Sequence, residues 1–223
     1  ASANVYGSNP LQLILTEDEI EQKAVFGEIS YAFNEQWELT MGGRYFDYER
    51  VNTITDFPSA FNPPASGLPI PIDGSETGTT YKMNISYRPN DDTLIYTQWS
   101  EGFRLGRGQS VPDSSLCDTD NDGKLDFTDA ELTSQIDSDR TENFEIGAKF
   151  TLLDNRLTLN TAIFNIDWTD LPEIIQPSST ATACPTGLGL FNNIGEASSK
   201  GIEIEANYLV TPALAINVSA SYI

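Results

Sequence analysis

The stretch AVFGEISYAFNEQWELTMGGRY, residues 24–45, alternates along most of its length. Val25, Gly27, Ile29, Tyr31 and Phe33 fall on one side, against Ala24, Phe26, Glu28, Ser30 and Ala32. After the turn Asn34-Glu35-Gln36, the residues Trp37, Leu39, Met41, Gly43 and Tyr45 again oppose Glu38, Thr40, Gly42 and Arg44. A period of two places successive side chains on opposite faces of a strand, so the stretch reads as a β-hairpin with one apolar face.

The same period continues outward from it. Tyr81, Met83, Ile85 and Tyr87 oppose Lys82, Asn84, Ser86 and Arg88, and a turn at 89–92 leads into Thr93–Glu101. In that strand Leu94 and Tyr96 fall opposite Ile95 and Trp99, which leaves its facing open. Phe144, Ile146, Ala148 and Phe150 alternate with Asn143, Glu145, Gly147 and Lys149. A strand over 156–168 follows the turn 153–155. Ile202, Ile204, Ala206 and Tyr208 then oppose Gly201, Glu203, Glu205 and Asn207. After 210–213, Leu214, Ile216, Val218, Ala220 and Tyr222 oppose Ala215, Asn217, Ser219 and Ser221. Eight antiparallel strands are expected, with the chain stopping mid-strand, as in a piece of a longer protein.

Connection lengths alternate. Short turns at 34–36, 89–92, 153–155 and 210–213 share one side, and long loops near 52–76, 103–140 and 169–192 share the other. Outer-membrane barrels segregate their loops in this way. A soluble up-and-down barrel shares the strand alternation, but the polar faces here carry Glu28, Glu38, Arg44, Lys82, Arg88, Glu145, Lys149, Glu203 and Glu205. Such charges belong in a wet lumen, because a closed core would have to desolvate them. Val25, Ile29, Leu39, Ile85, Ile146, Ile204 and Val218 are then expected to face lipid. Phe33, Trp37, Tyr87, Phe150 and Tyr208 lie near the short turns, where an aromatic girdle meets the interface. The fold class is all-β: a transmembrane antiparallel up-and-down β-barrel, of which the 223 residues supply about eight consecutive strands.

Composition narrows the function. The 33 acidic and 12 basic residues give a net charge of −21, which repels nucleic acid. The chain has no His, so Ser-His and Cys-His nucleophile pairs are absent and enzymatic chemistry is not expected. Apolar runs break well before the ~18 residues of a spanning helix. No basic segment followed by an apolar core opens the chain at Ala1, so a secretion signal is expected outside it.

Several strand ends resemble the TonB-dependent outer-membrane receptors, in that family's order. Thr40-Met41-Gly42-Gly43-Arg44-Tyr45 is similar to its L-T-x-G-x-R-Y strand, and Glu101-Gly102-Phe103-Arg104-Leu105-Gly106 to its G-F-R-P-G signature, with Leu105 where proline is usual. Asn143-Phe144-Glu145-Ile146-Gly147-Ala148-Lys149 resembles N-Y-E-x-G-x-K, and it is followed by the stretches 164–170 and 201–205. The resemblance covers residues 24–223. It implies a bacterial outer-membrane barrel of about 22 strands around an N-terminal plug, with TonB contacted through a region outside this chain. The implied function is TonB-dependent import of a scarce ligand, a ferric siderophore or similar metal chelate. The alternatives are a passive or structural outer-membrane barrel, and a soluble calcium-binding β module for adhesion or scaffolding.

Three candidate sites lie in the long loops. Asp118-Thr119-Asp120-Asn121-Asp122-Gly123-Lys124-Leu125-Asp126-Phe127-Thr128-Asp129 fits an EF-hand-like Ca2+ loop. Asp118, Asp120 and Asp122 would ligate with the Lys124 carbonyl, Asp126 and Asp129, while Gly123 makes the sharp turn and Leu125 packs inward. Between 108 and 139, nine acidic residues face Lys124 alone, so a merely solvated acidic loop is the competing reading. Cys117 and Cys184 are expected to pair in the oxidising route to the cell surface. Arg104 and Arg107 at a strand lip would attract an anionic chelate, or else pair with acidic loop residues.

Overall fold

The computed structural model describes residues 13–57, 68–111, 117–126, 128, 130–176 and 189–223. Among these described residues ten strands run in chain order: β1 (Leu13–Ala32), β2 (Trp37–Phe57), β3 (Pro69–Asn90), β4 (Thr93–Arg104), β5 (Arg107–Gly108), β6 (Gln135–Ile136), β7 (Asp139–Leu152), β8 (Leu157–Ile175), β9 (Leu190–Thr211) and β10 (Leu214–Tyr222). Eight form one antiparallel sheet in the order β1-β2-β3-β4-β7-β8-β9-β10, and β5 and β6 form a small hairpin between β4 and β7 in the chain. The sheet is not closed on itself within the chain.

Register puts the apolar residues on one face from strand to strand. Ile29 lies opposite Met41, Met41 opposite Met83 and Met83 opposite Trp99. Leu39 lies opposite Ile85, Ile85 opposite Thr97, Thr97 opposite Ile146 and Ile146 opposite Ile163. Ile163 continues to Ile202 and Ile202 to Tyr222. The open question of β4 is thereby settled: Ile95, Thr97 and Trp99 join this outer face, and Tyr96 turns inward to donate to Glu145 at 2.6 Å. Val25, Ile29, Ile146, Ile204 and Val218 are all exposed on it, between 46% and 75%. A face with exposed apolar side chains on all eight strands is a surface that lipid covers. Near the short turns the Trp37 and Tyr87 rings stack at 4.4 Å.

The inner face is charged and bonded. Lys82 pairs with Glu28 at 2.5 Å across the intervening strand β2. Its stem passes over Gly42, where an added Cβ would stand 2.7 Å from Lys82 Cε. Arg44 donates to Gln22 at 3.1 Å, and Asn160 to Glu205 at 3.3 Å.

The strands run farther than expected, which shortens the predicted loops. Most of 52–76 is strand, because β2 continues to Phe57 and β3 resumes at Pro69; β1 begins at Leu13, β8 reaches Ile175 and β9 resumes at Leu190. The region 103–140 contains β5, β6 and the start of β7. Strands of 19–22 residues are about twice the ~9–11 that cross a bilayer. The outer face records the crossing point. Above Val25, β1 carries Lys23, Glu21, Glu19 and Glu17, and above Tyr45, β2 carries Asp47 and Glu49. Glu101, Glu142 and Asp167 stand side by side at the same level. Beyond lipid neither face needs to be apolar, so strand pairing persists without the periodicity that betrays it.

The buried apolar residues belong to this upper half. Phe46, Tyr48, Ile136, Leu125, Cys117 and Leu190 are each at most 2% exposed. The ladder between β3 and β4 ends at Lys82 and Ser100. Above it residues 105–108 and 135–138 lie against β2 and β3, where the Gly106 carbonyl accepts from Arg50 at 3.3 Å and the Ser138 N–H donates to Glu76 at 2.9 Å; close by, Phe103 stacks on Phe46 at 3.9 Å and Tyr48 donates to Glu76 at 3.1 Å.

Candidate ligand site

Two arrangements in the upper half gather the sequence-predicted residues. The first surrounds the lip of β4. Phe103, Arg104 and Gly106 lead directly into β5, and Gly106 is required there because an added Cβ would lie 2.2 Å from the Ile136 carbonyl. The tight passage turns the chain so that Arg104 and Arg107 line one cavity of about 560 Å³ with Arg50, Asp139, Pro172 and Phe191. The even-numbered parity of Arg50 on β2 and of Arg104 on β4 puts both on the inner face.

The three guanidiniums are held differently. Arg50 grips Asp18 with both ends of its fork, Nε at 2.8 Å and Nη2 at 2.5 Å, and donates to the Gly106 carbonyl at 3.3 Å. That hydrogen bond holds the Asp18 carboxyl below its ordinary pKa, against a smaller opposing effect of burial. Arg104 donates from Nε to Asp139 at 2.9 Å, with Nη2 on the same oxygen, and lies 5.1 Å over the Trp168 ring. Asp139 is 2% exposed, so Arg104 supplies the counter-charge a buried carboxylate requires. Arg107 forms no ion pair among the described residues, and its guanidinium sits 4.9 Å over the Phe191 ring. Arg104 therefore takes the pairing role foreseen as its alternative, and Arg107 keeps its charge available. A guanidinium over an aromatic face can accept an anion in the open part of its fork while the ring shields its back.

Sequence reasoning missed Arg50, Asp139, Trp168 and Phe191. Arg44, Phe46, Tyr48 and Arg50 share one parity on β2, and extending that strand past Tyr45 would have placed Arg50 on the inner face. Asp139 and Phe191 are recognisable only from the tertiary contacts.

The second arrangement is the acidic loop. Carboxylate oxygens of Asp118, Asp120 and Asp126 come within 4.8 Å of one another. Asp118, 5% exposed, accepts from the Asp122 and Gly123 N–H groups at 3.0 and 3.1 Å. Asp126 accepts from the Thr119 N–H at 3.0 Å and the Thr119 hydroxyl at 2.8 Å. Asp122 stands outside the triplet and accepts from the Lys124 N–H at 2.8 Å, while the backbones of Lys124 and Glu131 pair as an isolated antiparallel β-bridge. Gly123 turns with φ +84°, and Leu125 packs inward with Cys117 and Leu190. Such a set of hard oxygens suits a cation like Ca2+. Asp129, the remaining predicted ligand, lies outside the described residues, as does Cys184. Cys117 is fully buried and is not a free thiol.

Comparisons with known proteins give the barrel its family. The profile of the family described as TonB dependent receptor-like, beta-barrel matches residues 2–223. The chain is 24% identical over 208 residues to the probable TonB-dependent siderophore receptor PiuA of Acinetobacter baumannii, covering 91% of this chain and 23% of that protein. It is 22% identical to the metal-pseudopaline receptor CntO of Pseudomonas aeruginosa, covering 92% of this chain and 24% of that one. The crystal structure of the A. baumannii siderophore receptor PiuA superposes with a TM-score of 0.66 at 20% identity, over 93% of this chain and 26% of that one. The pyoverdine outer membrane receptor FpvA from P. aeruginosa gives 0.59 at 21% identity, over 92% and 25%. The chain thus spans about a quarter of the length of these relatives. With its eight-stranded antiparallel sheet, apolar outer belt and charged inner face, the chain belongs to the TonB-dependent receptor β-barrel family of bacterial outer-membrane proteins.

Proposed function

We propose that this chain is part of the wall and ligand vestibule of a TonB-dependent importer, and that the receptor takes up an anionic metal chelate, a ferric siderophore or a similar complex. The observation that carries the reading is the inner cavity in which Arg107 is cationic, unpaired among the described residues and backed by an aromatic ring. Relatives described as siderophore and metal-pseudopaline receptors support the chelate class. The test is uptake of radiolabelled ferric chelates by cells carrying the full-length receptor. Arg107→Gln is expected to weaken binding of anionic chelates about tenfold or more while the receptor stays folded. Arg104→Gln is the poorer probe, because it also leaves the buried Asp139 carboxylate without its counter-charge and so costs stability by itself. Transport unchanged by Arg107→Gln, or persisting without TonB as a passive barrel's would, contradicts the reading.

The acidic loop is assigned a structural Ca2+ held by Asp118, Asp120, Asp126 and Asp129, with Asp122 and the Lys124 carbonyl completing the shell. The convergence of the described carboxylates and the inward Leu125 support this. Cys117 is paired in the same reading with Cys184, the other cysteine of the chain. An ion there would relieve repulsion among the carboxylates and order the loop. Limited proteolysis of the full receptor in detergent should then cut between Gly108 and Asp139 much faster in chelator than in calcium, with the barrel intact. Equal rates would leave only a solvated acidic loop.

A further inference from the structure

The β5–β6 hairpin consists of two residue pairs, Arg107 with Ile136 and Gly108 with Gln135. So short a ribbon has little stability of its own in water. It is nevertheless seated between β3 and β9, which are not its partners in any sheet. Three side-chain amides do the seating, and each closes on both backbone polar groups of one residue. Gln109 accepts from the Phe191 N–H at 2.9 Å and donates to the Phe191 carbonyl at 2.8 Å. Asn193 accepts from the Asp137 N–H at 2.9 Å and donates to the Asp137 carbonyl at 2.9 Å. Gln135 donates to the Ser75 carbonyl at 2.9 Å, with the Ser75 N–H 3.5 Å from its Oε1. Opposed residues of an antiparallel ladder exchange two N–H···O bonds in just this manner, and an amide side chain carries the same donor and acceptor. Spare amide hydrogens add two further bonds, from Gln109 to the Thr133 carbonyl at 2.9 Å and from Asn193 to the Asp170 carbonyl of β8 at 2.7 Å.

We propose that Gln109, Gln135 and Asn193 are positioning residues of the arginine cavity, replacing strand pairing so that Arg107 is held over the Phe191 ring. The inference rests on the reading of that cavity as a ligand contact and adds how its geometry is fixed. Gln109 is the central member: it follows Arg107 by two residues and grips the backbone of Phe191, whose ring Arg107 covers. A cavity held in this way meets its ligand pre-organised, and binding does not have to order the loop.

The test uses the full-length receptor in detergent with Gln109→Met, Gln109→Glu and Arg107→Gln. Backbone hydrogen exchange is first read with no ligand present. Gln109→Met keeps the length and removes the bonds, so exchange in peptides covering 105–109 and 134–138 should rise about tenfold while β7 and β8 below the lip are unchanged. Gln109→Glu separates hydrogen bonding from bulk. As a neutral acid it keeps one O–H to donate, to the Phe191 or the Thr133 carbonyl, and once ionised it presents negative charge to both. Its protection, corrected for intrinsic exchange, should approach wild type near about pH 4 and be lost near about pH 8, whereas wild type keeps its protection at both. Unchanged protection of these peptides in Gln109→Met, or a pH-independent Gln109→Glu, overturns the proposal. Binding of ferric citrate, an anionic probe, then locates any failure. If Arg107→Gln weakens it tenfold and Gln109→Met does not, the cavity reading stands and the positioning role falls. If the wild type binds no ferric citrate, or Arg107→Gln changes nothing, the anion reading falls, and the exchange data alone decide whether the amides hold the loop.

Discussion

The lower and upper halves of the same strands obey different rules. Below the level of Val25, Tyr45, Trp99 and Phe144, the outer face is a belt of exposed apolar side chains, and among the described residues no hydrophobic side chain is buried there. Above it the outer face is charged and the inner side holds Phe46, Tyr48, Ile136, Ser138 and Asp139 almost without solvent contact. The lower half is stabilised by lipid outside and by ladder hydrogen bonds that a bilayer cannot replace. The upper half stands in water and depends on apolar burial and on bonds between side chains and backbone. One ladder therefore passes through two solvents, and each half fails to a different substitution.

The largest effect is expected in the upper half. Phe46→Ala removes a ring that stacks on Phe103 and fits over Gly78, at a cost of roughly 3–5 kcal/mol to the local packing. Exchange should rise through 103–108 and 134–139 while the lower strands keep their protection, and equal loosening of both halves would break the distinction. Next comes the belt. Ile146→Arg places a charge in the middle of the apolar row and should cost about 2–4 kcal/mol in folding titrations of the receptor in lipid vesicles. Gln98→Arg, one strand away on the inner face, should cost far less, since the lumen is wet. Similar losses for the two would mean that the faces are wrongly assigned.

The smallest effect concerns pH. Because Arg50 lowers the Asp18 pKa in the folded state, the pair's stabilisation is present above the ordinary value of 3.8 and is lost as pH falls through the lower, folded value. Partial exposure limits it to ~1 kcal/mol or less, weaker in high salt. Asp18→Asn should remove this acid-side loss of order around 105–107, and an unchanged acid profile would show that the pair contributes nothing.

The halves also differ in how far they could be foreseen. Alternation located the belt, its strand order and its turns, because lipid forces every second residue to be apolar. The same criterion cut the strands short at Tyr45 and Glu101, since above the membrane Asp47, Glu49 and Thr53 satisfy the ladder as well as any apolar residue would. It left β4 undecided because Tyr96 is an apolar-looking residue whose hydroxyl serves Glu145 on the inner side. In the loops a motif with fixed spacing was readable, and Leu125 packs inward as its position in the motif requires. The amide clamps of Gln109, Gln135 and Asn193 had no such signal. Their partners are backbone groups 82, 60 and 56 residues away, and a peptide has no side chain to reveal it.

The central claim, that lipid covers the outer face only up to the level of Val25 and Phe144, is tested most directly by nitroxide labels on the full receptor in bilayers. Labels at Ile29, Met41, Ile146 and Ile163 should collide freely with dissolved oxygen and scarcely with a water-soluble nickel chelate. Labels at Glu21, Asp47 and Glu142, on the same face of the same strands, should show the reverse. Nickel access at Ile29 and Ile146 equal to that at Glu21 and Asp47 would contradict the account.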